Sequence, residues 1–163
     1  SSKNYLPAGQ DGEDPLELTR TSHNVFLGFS AHPILFASDL TKNSINYAVI
    51  NEEKKHIGSV AFIEISTKDK RATFGIVIGE KNHWGKGYAG ECIKLLADYL
   101  FKKMKFNRFE LDAYVANTRG VKAYQKAGFV LEGIRCKYRF NKVTKKFEDM
   151  AFMGMLREDW LKK

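Results

Sequence analysis

From Tyr88 to Lys105 the apolar residues Ala89, Ile93, Leu96, Ala97, Leu100, Phe101 and Met104 recur at steps of three and four, while Glu91, Lys94, Asp98, Lys102 and Lys103 take the other positions. This period predicts an amphipathic helix. Ahead of it lie three strand-like runs, Ile45 to Asn51, Ile57 to Ser66 and Ala72 to Ile78. The segments between them, Asn51-Glu-Glu-Lys-Lys55 and Thr67-Lys-Asp-Lys70, are short, polar and suited to hairpin turns, so the centre reads as an antiparallel meander. After the helix the pattern predicts a strand over Arg108 to Val115 and a short helix over Thr118 to Ala127, ended by Gly128. Two closing strands follow, Phe129 to Phe140 and Phe147 to Leu156. Before Ile45 the signal weakens. Leu16 to Thr21 suits a short strand, and Ile34 to Leu40, following Pro33, has a weak helical period. Ser1 to Asp14 holds a Pro, two Gly and several polar residues without periodicity, which predicts a flexible arm over 1–14 and one domain over 15–163.

A chain of 163 residues with 44% hydrophobic content is long enough to bury the core that these elements imply. No apolar run approaches the roughly 18 to 20 residues of a membrane span, and the N-terminus is not signal-like, so a cytoplasmic protein without a membrane role is expected. The chain starts at Ser1 rather than at Met, which suggests that native residues precede it. Cys92 and Cys136 form no CxxC motif and have no histidine at ligand spacing, so two free thiols, buried or half-buried, and no metal site are expected. His23, His32, His56 and His83 are scattered. The net charge of +8 favours acidic ligands, yet the lysines are spread along the chain and the aromatics fall at core-like positions, which argues against nucleic acid.

The chemistry concentrates at the junction before the long helix, Phe74-Gly-Ile-Val-Ile-Gly-Glu-Lys-Asn-His-Trp-Gly-Lys-Gly-Tyr-Ala89. A strand, a glycine-rich loop and a helix start present backbone N–H groups at the positive end of the helix dipole, where an anion is the natural occupant. A P-loop would need four residues between its glycines and a hydroxyl after the Lys. Here five residues separate Gly79 from Gly85, and Gly87 follows Lys86. Gly85-Lys-Gly-Tyr-Ala-Gly90 does match the dinucleotide fingerprint, with Asp112 near the position of a ribose-binding carboxylate. That fingerprint should begin at the strand end within alternating strand-helix units, whereas Glu80 to Trp84 intervene and a meander precedes.

Trp84-Gly-Lys-Gly-Tyr-Ala89 resembles the coenzyme A pyrophosphate loop of the GNAT superfamily, Q/R-x-x-G-x-G/A, in the variant that begins with Trp. A second match follows in Asn117-Thr-Arg-Gly-Val-Lys-Ala-Tyr124-Gln-Lys-Ala-Gly-Phe129. Glu132-Gly133 and a closing hairpin into Glu148-Asp149-Met150 also fit. From about Ile45 to Trp160 the chain is similar to the branch that includes ribosomal-protein N-terminal and spermidine N-acetyltransferases. The resemblance implies an α/β fold of α+β type: a central, mixed, mostly antiparallel twisted sheet flanked by helices, with two splayed parallel strands holding the coenzyme.

It also implies an acetyl-CoA-dependent N-acetyltransferase that needs no metal. Coenzyme contacts fall on Ile76, Val77, Ile78, Trp84, Gly85, Lys86, Gly87, Tyr88, Ala89, Gly90, Asn117 and Lys126. A backbone N–H near Val77 would polarise the thioester carbonyl. Tyr124 would be the general acid at the coenzyme sulfur, although the same residue also suits a core position on an amphipathic helix. Asn117 suits a helix cap as well as a coenzyme ligand. The strand position where relatives often carry Glu is Thr73. Glu64 or Asp112 could substitute as the base through a water, each also suits a solvated strand position, and no base is needed if the bound amine is already largely neutral. The acceptor is a primary amine. A peptide or protein N-terminus is expected ahead of a polyamine or amino sugar, because a chain of charge +8 repels a polycation unless Glu13, Asp14 and Glu17 form an acidic pocket. A coenzyme-binding module without catalysis is the alternative, and the assembly is expected to be a monomer or homodimer.

Overall fold

The structure is a computed structural model that describes residues 26–27, 34–40, 44–51, 53–79 and 81–163. Within these residues the chain runs β1 (Phe26–Leu27), β2 (Ile34–Leu40), β3 (Ile45–Ile50), β4 (His56–Ser66) and β5 (Arg71–Ile78). Then come a single 3-10 turn (Lys81–His83), α1 (Tyr88–Asp98) and β6 (Arg108–Tyr114). The chain ends in α2 (Thr118–Ala127), β7 (Val130–Asn141), β8 (Lys146–Leu156) and α3 (Arg157–Leu161). The strands form one sheet in the order β1-β2-β3-β4-β5-β6-β8-β7. Every neighbouring pair is antiparallel except β5 with β6. This is the mixed, mostly antiparallel sheet that the family resemblance implies, and it contains the antiparallel meander expected from the residue pattern.

The turns form where short polar residues satisfy the backbone. The Asn51 side chain accepts hydrogen bonds from the Glu53 and Lys55 amides and is itself buried, which holds the β3–β4 turn closed. Alternation then sets the faces. Buried and half-buried residues alternate along β3 and β6, so each strand gives one face to the core. α1 covers that face with Cys92, Ile93, Leu96 and Ala97, all fully buried. The centre is aromatic: Phe109 meets Phe62, Phe74 and Phe129 with ring centroids 5.7, 5.6 and 5.4 Å apart. Edge-on and tilted rings at these distances add pairwise attraction to the area that they bury.

Three departures from the sequence reading have physical causes. Ile34 to Leu40 is a strand, not a helix. It pairs with β3 from Ile34↔Ile50 to Leu40↔Ile45, because the open edge of β3 supplies backbone partners that a weakly periodic seven-residue segment cannot supply for itself. The long helix is regular only to Asp98, after which Tyr99–Lys103 widens into a π turn. Tyr99, Leu100 and Phe101 are consecutive and all buried, which an α-helical turn spaced at 100° per residue does not allow on one face. Cys92 is buried as expected, whereas Cys136 is exposed on β7, at the edge of the sheet; both thiols are free. Leu16 to Thr21, the arm over 1–14 and the acidic residues Glu13, Asp14 and Glu17 lie outside the described residues. None of the described helices is long and apolar enough to cross a membrane.

Candidate functional site

β5 and β6 pair over three positions only, Arg71↔Arg108, Ala72↔Phe109 and Thr73↔Glu110. Beyond Thr73 they diverge, although β5 keeps β4 as its neighbour up to Ile78 and β6 keeps β8 up to Tyr114. The edge of β5 from Phe74 to Ile78 that faces β6 therefore has no strand partner. A buried backbone edge without partners is costly, and a split of this kind is where an extended ligand can lie between two strands. Ile76, Val77 and Ile78 line it on β5, and Val77 is 68% exposed despite its apolar side chain.

The glycine loop closes the open end of the split. The Trp84 indole N–H donates to the Ile78 carbonyl at 3.0 Å, which ties the loop to the last residue of β5. Gly85 and Gly87 have φ of +75° and +86°, a region that L side chains rarely adopt, so these two glycines are required by the path of the chain. The first helical bond of α1 runs from the Glu91 amide to the Gly87 carbonyl. The Ala89 and Gly90 amides precede it and make no bond within the helix, at the positive end of its dipole. A Cβ on Gly87 or Gly90 would meet nothing within 4 Å, so the space above the loop is open to a ligand. Lys86 is exposed there.

α2 crosses the apex of the split. Tyr124 packs edge-on against Phe74, the first β5 residue past the last β5–β6 pair, at 6.3 Å, and against Phe129 at 6.4 Å. Burial raises its pKa above the ordinary phenol value, and among the described residues no hydrogen bond engages its hydroxyl. Asn117 caps α2, its side-chain oxygen accepting from the Gly120 amide at 3.0 Å. Lys126 is exposed in the last turn, at the far end of α2 from the loop. Arg119, which sequence reasoning passed over, reaches back from the first turn of α2 to the loop, its guanidinium 5.9 Å from the Trp84 ring. Only the fold brings it there, since more than thirty residues of helix and strand separate the two.

On the opposite face of the sheet from α1, a cavity of about 810 Å³ opens beside Thr73. Its polar wall is an alternation of acids and arginines. Arg71 bonds Glu110 at 3.1 Å and approaches Glu64 at 3.7 Å, Arg139 bonds Asp112 at 2.7 Å, and Arg108 bridges Glu110 and Glu132. The bond from Arg108 holds the Glu132 carboxyl below the usual range. Glu64 stands opposite Thr73 in the β4–β5 ladder; it is the most open of these acids and the one most loosely paired. Asp112, committed to Arg139, is correspondingly less available as a base or as a ribose ligand. With one parallel pair in an otherwise antiparallel sheet, the dinucleotide reading of Gly85 to Gly90 lacks the strand-helix repeat that it requires. Among the described residues no three His, Cys, Asp or Glu side chains cluster as metal ligands.

Residues 13–130 match the family described as Acetyltransferase (GNAT) domain, and the chain belongs to that family. The uncharacterized N-acetyltransferase p20 of Bacillus licheniformis is 30% identical over 112 residues, 69% of this chain and 61% of that protein. The spermidine N(1)-acetyltransferase of Vibrio cholerae is 31% identical over 115 residues, 71% of this chain and 65% of that one. The match thus spans under two thirds of these curated relatives. Among solved structures, a chimera of the spermidine N-acetyltransferase SpeG from Vibrio cholerae and hSSAT superposes with a TM-score of 0.70 at 30% identity, covering 75% of this chain and 72% of that one. A dodecameric structure of the Vibrio cholerae spermidine N-acetyltransferase gives 0.68 at 30% identity, with 74% and 68% covered. The fold expected from the resemblance is the fold found.

Proposed function

We propose that the chain is an acetyl-CoA-dependent N-acetyltransferase whose acceptor is a small polyamine. The observation that carries the transferase reading is the split between β5 and β6, with the glycine loop at its mouth and Tyr124 at its apex. Family members use acetyl-CoA, and the residues here fit it: the loop offers open space, unpaired amides and positive φ glycines for a pyrophosphate, and the β5 edge offers backbone partners for an extended arm.

Acetyl-CoA supplies the acetyl group as a thioester. Ile76 to Ile78 hold the arm by backbone bonds, and an amide near Val77 polarises the carbonyl. The acceptor nitrogen approaches from the cavity beside Thr73, gives a proton to Glu64 through a water and attacks the thioester carbonyl. The new C–N bond replaces the C–S bond, the Tyr124 hydroxyl protonates the departing sulfur, and exchange with solvent resets both side chains. A phenol is protonated at neutral pH already at its ordinary value, and burial makes Tyr124 a weaker acid still, so the transfer depends on its position against the sulfur.

For the acceptor, the expectation of a peptide N-terminus gives way to a polyamine, which the two spermidine acetyltransferase relatives favour. Net charge argued the other way, but the cavity is lined by four carboxylates against four arginines, and of the carboxylates Glu64 alone lacks a close arginine partner. Glu64, the least neutralised, draws the reacting ammonium to the place where it gives up its proton.

We also infer a homo-oligomer larger than a dimer. The solved dodecameric relative supports this, as does β7, which forms the outer edge of the sheet with every residue but the last exposed, Val130, Ile134 and Phe140 included. Light scattering behind a sizing column gives the mass, and a monomer would remove this part of the reading.

The test of function is thiol release from acetyl-CoA with spermidine, spermine, glucosamine and a free N-terminal peptide offered separately. Spermidine or spermine should turn over fastest. A faster peptide would reinstate the N-terminal acceptor. Saturable acetyl-CoA binding with no turnover of any amine would leave a coenzyme-binding module.

A further inference from the structure

Given that the loop holds the coenzyme as proposed above, we propose that Arg119 is a binding residue for the pyrophosphate, delivered to the loop from α2 and aimed by Trp84. Trp84 itself has no donor left for a ligand, since its indole N–H is spent on the Ile78 carbonyl. From Trp84 to Gly90, Lys86 is the sole cationic side chain that the loop provides.

Arg119 sits in an otherwise unfavourable place. A guanidinium in the first turn of a helix lies against the positive end of the dipole, and the first turn of α2 holds no acid to offset it. Among the described residues no carboxylate pairs with it; Arg71, Arg108 and Arg139 have acidic partners, Arg135 lies over the Phe152 ring and Arg157 donates to the Phe101 carbonyl. It is turned back toward the loop instead, with its Cζ over the Trp84 ring and an Nη2 only 2.8 Å from where a Cβ of Gly85 would stand. Gly85 thus serves two purposes: it takes the positive φ, and it leaves room for the guanidinium. An anion between Arg119 and the first amides of α1 would give the planar fork the partner that the protein does not supply.

The experiment is titration of the full chain with coenzyme A and with 3′-dephospho-coenzyme A at one salt concentration, for wild type, Arg119→Gln and Arg119→Lys. Arg119→Gln should weaken both ligands by the same factor, about tenfold to a hundredfold. Arg119→Lys, which keeps a point charge without the fork, should fall between. Both variants should melt close to wild type because the side chain is exposed. Unchanged affinity for both ligands would overturn the assignment. So would a loss confined to coenzyme A, which would move the guanidinium to the ribose phosphate. If wild type binds neither ligand, the coenzyme reading itself falls, and the role of Arg119 with it.

Discussion

The indole N–H of Trp84 donates to the backbone carbonyl of Ile78 across 3.0 Å, so the residue that opens the glycine loop is anchored to the last residue of the split strand. The loop and the strand edge are thereby held together as one surface. Trp84→Phe keeps an aromatic ring, smaller than the indole, and removes the donor. It should raise the dissociation constant for coenzyme A several-fold while changing stability by less than about 1 kcal/mol, as befits one hydrogen bond on a side chain that is 47% exposed. Chemical denaturation beside ligand titration separates the two effects.

Tyr124→Phe should lower turnover by about 10² to 10⁴ with little change in coenzyme affinity. The ring contacts with Phe74 and Phe129 survive the substitution, so the melting temperature should barely move. Because burial raises the pKa of the phenol, the alkaline loss of activity assigned to its ionisation should have its midpoint above that of a free tyrosine. Full activity in the variant would return Tyr124 to a packing role.

Gly90→Ala separates folding from binding. The position is helical and open, so alanine should stabilise the protein by about 0.5 to 1 kcal/mol. If the proposed phosphate site lies against the first amides of α1, a methyl group added at Gly90, in space that is now open, should lower coenzyme affinity. A variant that is both more stable and unimpaired in binding would place the phosphates elsewhere.

Alkaline pH should unfold the protein through its buried acids. Burial pushes the Cys92 thiol up from 9.0 to about 12, and it raises the Tyr47 and Tyr99 phenols above their ordinary value. The unfolded chain ionises first, so the contribution of Cys92 is complete below pH 9 and lost as pH rises toward 12, on the order of 3 to 4 kcal/mol. The tyrosines add to the loss above pH 10. Cys92→Ala should flatten the dependence of stability on pH between 9 and 12. A thiol reagent should label exposed Cys136 at once and Cys92 only on unfolding.

Much of this was legible in the residue pattern. Thr118–Ala127 matches its expected limits because Asn117 caps one end and Gly128, at φ +117°, closes the other, both local signals. The meander from β3 to β5 was likewise written in two-residue alternation and polar turns. Ile34–Leu40 was misread because its strand state comes from pairing with β3, a partner that no local period encodes.

The glycine loop, the helix that follows it and the residue types available for chemistry are written along the chain, since backbone conformation at Gly85 and Gly87 and amphipathic period are local properties. The parting of β5 and β6 after Thr73, the place of Tyr124 at that point and the reach of Arg119 to Trp84 come from the packed fold. Each of these is a relation between segments distant in the chain. They are set by which strands find complete ladders elsewhere and by how α2 packs on the aromatic core, not by the order of residues along any one element.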